Sequence, residues 1–172
     1  MKLRRFLVML LFAGGVYCNV VIFSRFSIYG VRPDLVMALV VSYATLMGRL
    51  PACILGCAIG LFMDAMYGYI IGLAAISYLL AAYVSGFLYQ KYYADNIVLP
   101  ALFAGLGHFF HEHLMALAML LRGGTFAYLQ TLTSYILPCA LFTFLMCMPL
   151  HMLTRKALGQ QARLYGAETH RG

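Results

Sequence analysis

The sequence predicts an all-α integral membrane protein with six transmembrane helices, and three observations support that fold class. The 172-residue chain is 64% hydrophobic and only 10% charged, whereas soluble domains are about 45–50% apolar and roughly 25% charged. Its mean hydropathy is +0.88. Apolar runs recur along the whole chain, separated by short segments that hold most of the cations. Because a water-soluble fold of this size could not cover so much apolar surface, lipid must surround most of the chain.

Six apolar segments are long enough for helices that cross a bilayer, which needs roughly 20 residues with some tolerance. The second and third segments flank Arg49-Leu50-Pro51 and are short, so they are candidates for thin or partly buried helices. The fourth helix is expected to start near Ile70, and Pro138 is expected to kink the sixth. The predicted helices cover about residues 6–23, 33–48, 51–67, 70–90, 97–121 and 126–152.

The first segment is predicted to be a retained helix rather than a cleaved signal peptide. Lys2, Arg4 and Arg5 precede an apolar core, but the apolar run continues through GVYCNVVIF without a clear small-x-small cleavage site. The six helices form a single transmembrane domain over residues 1–154. Residues 155–172 form a short basic tail that is expected to contact anionic lipid or a cytoplasmic partner.

The distribution of Lys and Arg predicts that the N- and C-termini are both cytoplasmic. With six spans, nine of the twelve Lys and Arg residues then lie inside and three outside, as the positive-inside rule requires. The net charge of +7 therefore needs no nucleic-acid partner, since the cations border apolar runs instead of forming a phosphate-binding cluster. The inner set is Lys2, Arg4, Arg5, Arg49, Lys91, Arg155, Lys156, Arg163 and Arg171; the outer set is Arg25, Arg32 and Arg122.

Small residues recur every four positions along the third helix and lead to an unusual carboxylate, Asp64. Gly56, Gly60, Asp64 and Gly68 share one slowly rotating face. In lipid, small residues let a second helix approach closely, and the fourth helix has a similar face near Gly86. Asp64 is therefore expected to face protein, and the two small-residue faces serve either as internal packing surfaces or as docking surfaces for a partner.

The two acids of the second and third helices should lie at similar depth near the outer side of the membrane. Asp34 opens the second helix and Asp64 lies near the end of the third. One interpretation is structural: Asp64 binds the backbone amides of the Tyr67–Gly72 turn, or pairs with Arg25 or Arg32. The other is functional, because an acid within a membrane span marks a proton or solute site by default.

The sequence GHFFHEH in the fifth helix is a second polar cluster of undetermined role. His108, His111 and Glu112 have i, i+3 and i+4 spacing and share one face. Histidine and carboxylate are zinc ligands, but HExxH would require histidine in place of Met115, and HxxEH in place of Phe109. A buried polar contact between helices is the alternative. The sequence thus predicts no catalytic residue, no metal site and no cofactor.

The segment RPDLVMALVVSYATLMGRLPACILGCAIGLFMDAMYGYIIGLAAISYLLAAYVSGFL resembles the rod shape-determining MreD family of bacterial inner-membrane proteins. The resemblance consists of a Pro-Asp-Leu opening of the second helix, a glycine-spaced third helix ending in G-L-x-x-D, and a G-x-x-x-G-L turn. The match is good over about 33–90 and looser to about 121. It includes an acid in the middle of the fifth helix, here Glu112. The segment GHFFHEH contains more histidine than is expected of the family. The matching positions are Pro33, Asp34, Leu35, Gly56, Gly60, Leu61, Asp64, Gly68, Gly72, Leu73, Tyr78 and Gly86.

The resemblance implies a fold and a function. The fold would be similar to the substrate-binding S components of energy-coupling-factor vitamin transporters. The function would be a noncatalytic role in the cell-elongation machinery, binding MreC, a protein with one membrane helix and a periplasmic domain, and helping to position peptidoglycan synthesis. MreB, RodA and a penicillin-binding transpeptidase would belong to the wider complex. Two alternatives stay open, namely a solute-binding subunit of a vitamin-type transporter and an intramembrane metal-dependent hydrolase.

Overall fold

The computed structural model describes residues 2–25, 30–67, 70–92, 96–125 and 127–158, so that Gly68 and residues 159–172 of the predicted tail lie outside the described residues. Within these ranges the chain forms six helices, the number expected from the sequence. Helix α1 comprises Lys2–Tyr17, a π-helical turn at Cys18–Ile22 and a last turn at Phe23–Arg25. The next four are α2 (Leu35–Met47), α3 (Arg49–Tyr67), α4 (Leu73–Tyr92) and α5 (Val98–Leu121). Helix α6 comprises Tyr128–Thr131, a π-helical turn at Leu132–Ile136, and Leu137–Leu158.

Helix α2 lies at the centre of the bundle. All of residues 36–41 are fully buried, and α2 packs against each of the other five helices. Its 13 residues rise about 20 Å, less than the roughly 30 Å hydrocarbon core of a bilayer. Because the other five helices enclose α2, it does not need the length of a helix that faces lipid. This accounts for the short second apolar run in the sequence.

The outer flanks of the bundle are apolar. By length and composition, Arg49–Met66 and Tyr128–Leu158 are each able to cross a membrane, and Phe6–Ile22, Leu35–Met47 and Leu73–Leu88 are shorter apolar helices. A contiguous apolar surface of this extent is unusual for a soluble monomer and indicates contact with lipid. The exposed large side chains include Ile54, Ile71, Ile76, Leu106, Leu121 and Leu145.

Local backbone chemistry explains where the helix ends differ from the sequence-based boundaries. Helix α3 begins at Arg49, before Pro51, because proline is tolerated in a first turn, where its missing N–H is not needed. Helix α4 begins at Leu73 because Gly72 has a φ of +106°, outside the helical region. Helix α6 continues to Leu158 because basic residues extend a helix beyond its apolar part.

Two π-helical turns interrupt α1 and α6. The second, Leu132–Ile136, directly precedes the Leu137–Leu158 helix that contains Pro138, the residue expected to kink α6. Proline lacks the N–H that would bond to the carbonyl four residues earlier, here that of Ser134 within the π turn. Both π turns lie at the end of the bundle where α1, α3 and α5 finish and α2, α4 and α6 begin, called here the Asp34 end. At the opposite end, the first half of α1 lies beside the last half of α6.

Candidate functional site

Asp34 connects four helices at the Asp34 end of the bundle. Its Oδ1 accepts hydrogen bonds from Met37 N at 2.9 Å and from Asn19 Nδ2 at 2.8 Å. Its Oδ2 accepts from the hydroxyl of Tyr78 at 2.8 Å, and its backbone N–H donates to Thr143 Oγ1 at 2.9 Å. The residue thus caps α2 while joining it to α1, α4 and α6.

The π turn of α1 provides the second cap of α2. Asn19, which lies in this turn and is only 9% exposed, accepts a hydrogen bond from Leu35 N at its Oδ1, at 3.1 Å. The first N–H groups of any helix lack partners within the helix, and in an apolar environment each must still be bonded. Asp34 and Asn19 together satisfy two of these groups, so the start of α2 can be buried.

Asp64 caps the start of α4. Its carboxylate accepts hydrogen bonds from Gly72 N at 2.9 Å, Ala74 N at 3.1 Å and Ala75 N at 3.3 Å, and the residue is 4% exposed. Among the described residues, no arginine forms an ion pair with it. Asp64 therefore has the contacts of the backbone-capping interpretation, and it joins the end of α3 to the start of α4.

The small residues of α3 and α4 are used for contacts between these helices. A Cβ added at Gly60 would lie 2.6 Å from Ala75 N, and one at Gly56 would lie 3.2 Å from the carbonyl oxygen of Tyr78. Gly86 contacts the first turn of α3 in the same way. These glycines therefore face the inside of the bundle, where α3 and α4 pack more extensively than any other described pair of helices.

His108 is buried between two carboxylates. Its Nδ1 lies 3.8 Å from Asp34 Oδ2, and its Nε2 lies 3.7 Å from Glu112 Oε1. Both distances are too long for a hydrogen bond. The residue is 4% exposed, and neither ring nitrogen has a hydrogen-bond partner within the described part of the chain.

The other two histidines of GHFFHEH have different partners. His111 Nδ1 lies 3.1 Å from Ser77 Oγ. Because the single Ser77 hydroxyl proton is donated to Leu73 O at 2.7 Å, this contact requires His111 to donate from Nδ1. His113 points away from this cluster and bonds to Phe109 O and to the hydroxyl of Tyr128. Only His108, His111 and Glu112 therefore belong to the inner face.

A cavity of about 830 Å³ brings these residues together at the Asp34 end and is partly open to the surroundings. It unites the two aspartates, which were expected at similar depth, with the histidine cluster, whose place beside them was not predicted. Asn19 and Tyr135 were not predicted, although a lone asparagine in an apolar span is itself a signal of buried contact. The π turn of α6 contributes Tyr135 and Ile136 to the wall. The polar and proline lining residues are Asn19, Arg32, Pro33, Asp34, Asp64, Tyr78, His108, His111, Glu112, Arg122, Thr131 and Tyr135.

The arrangement is suited to recognition by hydrogen bonding and charge. Within the described ranges, no three His, Cys, Asp or Glu side chains are grouped as metal ligands. Two of the three carboxylates, those of Asp34 and Asp64, are occupied in holding helix ends. The same cavity is lined by the Glu112 carboxylate, the His108 and His111 rings, and the arginines Arg32 and Arg122.

Removal of the Tyr78 hydroxyl tests the hydrogen-bond network directly. We expect Tyr78→Phe to lower the free energy of unfolding in detergent by about 1.5–3 kcal/mol, because the hydroxyl donates to a carboxylate. Tyr83→Phe, on the same helix at a position that is 46% exposed, is the matched control and should leave stability unchanged. Equal thermal unfolding midpoints for the two variants would contradict the assigned role of Tyr78.

The fold and the site define an integral membrane protein, a small helical bundle with an apolar exterior and polar residues collected around one internal cavity. The chain belongs to the MreD family: the family model described as rod shape-determining protein MreD matches residues 1–159. The resemblance found in the sequence is thereby confirmed, and with it a role in rod-shape determination. The MreD family is a family of non-catalytic, shape-determining membrane proteins. The chain has no significant match among curated proteins or among solved structures.

Proposed function

We propose that the chain is a multi-pass protein of the bacterial cytoplasmic (inner) membrane with both termini in the cytoplasm. The distribution of Lys and Arg supports this orientation. The position of the first half of α1 beside the last half of α6 agrees with both termini being on the same side of the membrane. In this orientation the Asp34 end of the bundle faces outward. We further propose that the bundle has the architecture of the substrate-binding S components of energy-coupling-factor transporters, which have six helices.

The proposed function is binding of MreC, which helps to position peptidoglycan synthesis along the cell. The observation that supports it is the cavity at the Asp34 end, whose walls are held in place by the caps of α2 and α4. MreC has one membrane helix followed by a periplasmic domain. The segment that joins the two would lie at the same depth as the outward-facing Asp34 end. MreB, RodA and a penicillin-binding transpeptidase are proposed members of the wider assembly, with membrane lipid as the surrounding contact and no nucleic acid.

Replacement of Asp64 tests this function. We expect Asp64→Ala to reduce co-purification of MreC at least fivefold while the chain still inserts into the membrane. The reason is that Gly72 N, Ala74 N and Ala75 N lose their acceptor, which releases the start of α4 and the neighbouring Ile70 in the cavity wall. Loss of a cap costs about 0.5–2 kcal/mol. The cost is smaller than for the buried donors of Asp34, because Gly72 N is only partly buried and the start of α4 borders the partly open cavity, where water can bond to the freed amides.

The matched control is Met66→Ala, which removes an exposed side chain close to Asp64 on the same helix. It should co-purify MreC at the wild-type level. Undiminished recovery of MreC with Asp64→Ala, at equal membrane levels of the two variants, would count against recognition at the Asp34 end.

Solute binding is the second candidate function, and the volume of the cavity favours it. About 830 Å³ falls within the roughly 300–1,000 Å³ of small-molecule sites. This function predicts that a small molecule stays bound through purification and that paired ATPases and an energy-coupling membrane subunit co-purify with the chain. A purified sample that releases no small molecule on denaturation would argue against it.

A further inference from the structure

We propose that Glu112 binds an organic cation, an ammonium or guanidinium group, that enters the cavity at the Asp34 end. The cation is carried either by a basic side chain of the protein partner or by a small solute. The first source rests on the proposed function, whereas the second does not. The two sources share the same chemistry at Glu112 and differ in what carries the charge.

Glu112 is the carboxylate of the cavity that lacks hydrogen-bond donors. Asp34 and Asp64 each accept three hydrogen bonds from described residues. Glu112 accepts none within the described part of the chain, and its near neighbour is His108 Nε2 at 3.7 Å. A carboxylate in a membrane-spanning helix is costly unless it is paired. Its side chain is only 17% exposed, so the cavity is where a partner must come from.

His108 does not supply the missing hydrogen bond. Its imidazole lies between two carboxylates, those of Asp34 and Glu112, at 3.8 and 3.7 Å, beyond hydrogen-bond distance of either one. Both ring nitrogens of this buried residue lack hydrogen-bond partners within the described ranges. A ligand with several N–H groups would supply the donors that Glu112 lacks, and ammonium and guanidinium groups are such ligands.

The walls of the cavity favour an organic cation over a free metal ion. Metal ions require several converging ligands, and the described side chains offer no such group. The rings of Tyr78, Tyr135 and His111 line the same cavity, and aromatic faces attract ammonium and guanidinium groups. Arg32 and Arg122 also line it, but among the described residues neither forms an ion pair with Glu112.

The probe for the experiment is Nα-acetylarginine amide, called here arginine amide, and its uncharged analogue is Nα-acetylcitrulline amide, called here citrulline amide. Binding to the purified chain in detergent is measured by titration calorimetry, for the wild type, Glu112→Gln and Glu112→Asp. We expect arginine amide to bind the wild type at least tenfold more tightly than citrulline amide does. Glu112→Gln should lose this preference and Glu112→Asp should keep part of it. His113→Gln, on the same helix but directed away from the inner face, is the matched control.

Co-purification of MreC with the same variants distinguishes the two sources. Loss of MreC with Glu112→Gln, together with displacement of MreC by arginine amide, assigns the cation to the partner. Arginine amide binding that depends on Glu112, with MreC recovery unaffected, assigns it to a solute. If the wild type recovers no MreC at all, the proposed function fails, while the calorimetry still decides this inference.

Folding of the variants is checked by thermal unfolding. Glu112→Gln removes an unpaired buried charge, so its unfolding midpoint should equal or exceed that of the wild type. If Glu112→Gln folds as well as the wild type and both the arginine amide preference and MreC recovery are unchanged, Glu112 is not a cation site. Equal affinities of the wild type for arginine amide and citrulline amide, with MreC recovery unchanged in Glu112→Gln, would overturn the proposal in the same way.

Discussion

Asp34→Ala is expected to destabilise the bundle by about 4 kcal/mol or more in detergent. The substitution removes the acceptor of three buried donors, those of Asn19, Met37 and Tyr78. Each buried donor left without a partner costs about 1–3 kcal/mol, and no lipid group replaces the lost acceptor. Thermal unfolding and membrane levels of the variant measure the effect, and cells that depend on it should lose their rod shape.

Asp34→Asn is the matched control for this prediction. An amide keeps one oxygen acceptor in the same shape, so it can still accept from Met37 N and cap α2. We therefore expect it to lose less than half as much stability as Asp34→Ala. If the two variants were equally stable, or if Asp34→Ala unfolded at the wild-type temperature, Asp34 would not be the residue that joins α1, α2 and α4.

Gly60→Leu is expected to have the second largest effect, by forcing α3 and α4 apart. A Cβ at Gly60 would lie within 2.6 Å of Ala75 N and 2.8 Å of the carbonyl carbon of Ala74. Because these are backbone atoms, neither can rotate away. Overpacking of ordinary side chains costs about 1–3 kcal/mol, so a collision with backbone should cost at least about 3 kcal/mol. We expect little folded protein in membranes or detergent.

The same substitution at Gly14 is the control, because a Cβ there has no heavy atom within 4 Å. Gly14→Leu should insert and fold like the wild type, and the gain in helix propensity is favourable. Comparable yields of monodisperse protein for Gly60→Leu and Gly14→Leu would contradict close packing of α3 on α4.

The number of helices could be predicted from the sequence because hydropathy records which segments face lipid. The residue at which α4 starts could not be predicted from hydropathy. A hydropathy profile shows that residues 70–90 are apolar, but it does not show that Gly72 has a positive φ or that Asp64 accepts its N–H. The π turns were also missed, since one extra residue in a helical turn leaves the apolar composition of α1 and α6 unchanged.

The cavity could be predicted only in part. Asp34 and Asp64 were expected at similar depth because their helices are adjacent and antiparallel, and both line the cavity. The contacts of Asp34 with Thr143 and His108 depend on the order of helices around α2, which a single sequence without covariation does not contain. For the same reason the histidine cluster of α5 was not assigned to the site of the two aspartates.

We propose that this member of the MreD family binds MreC at the Asp34 end of the bundle, which faces outward in the proposed topology. The direct test is purification of the tagged chain from native membranes in mild detergent, with identification of its partners by mass spectrometry. The predicted result is recovery of MreC together with wall-synthesis enzymes, and loss of MreC in Asp64→Ala. Recovery of transporter ATPases and an energy-coupling subunit, without MreC, would contradict it.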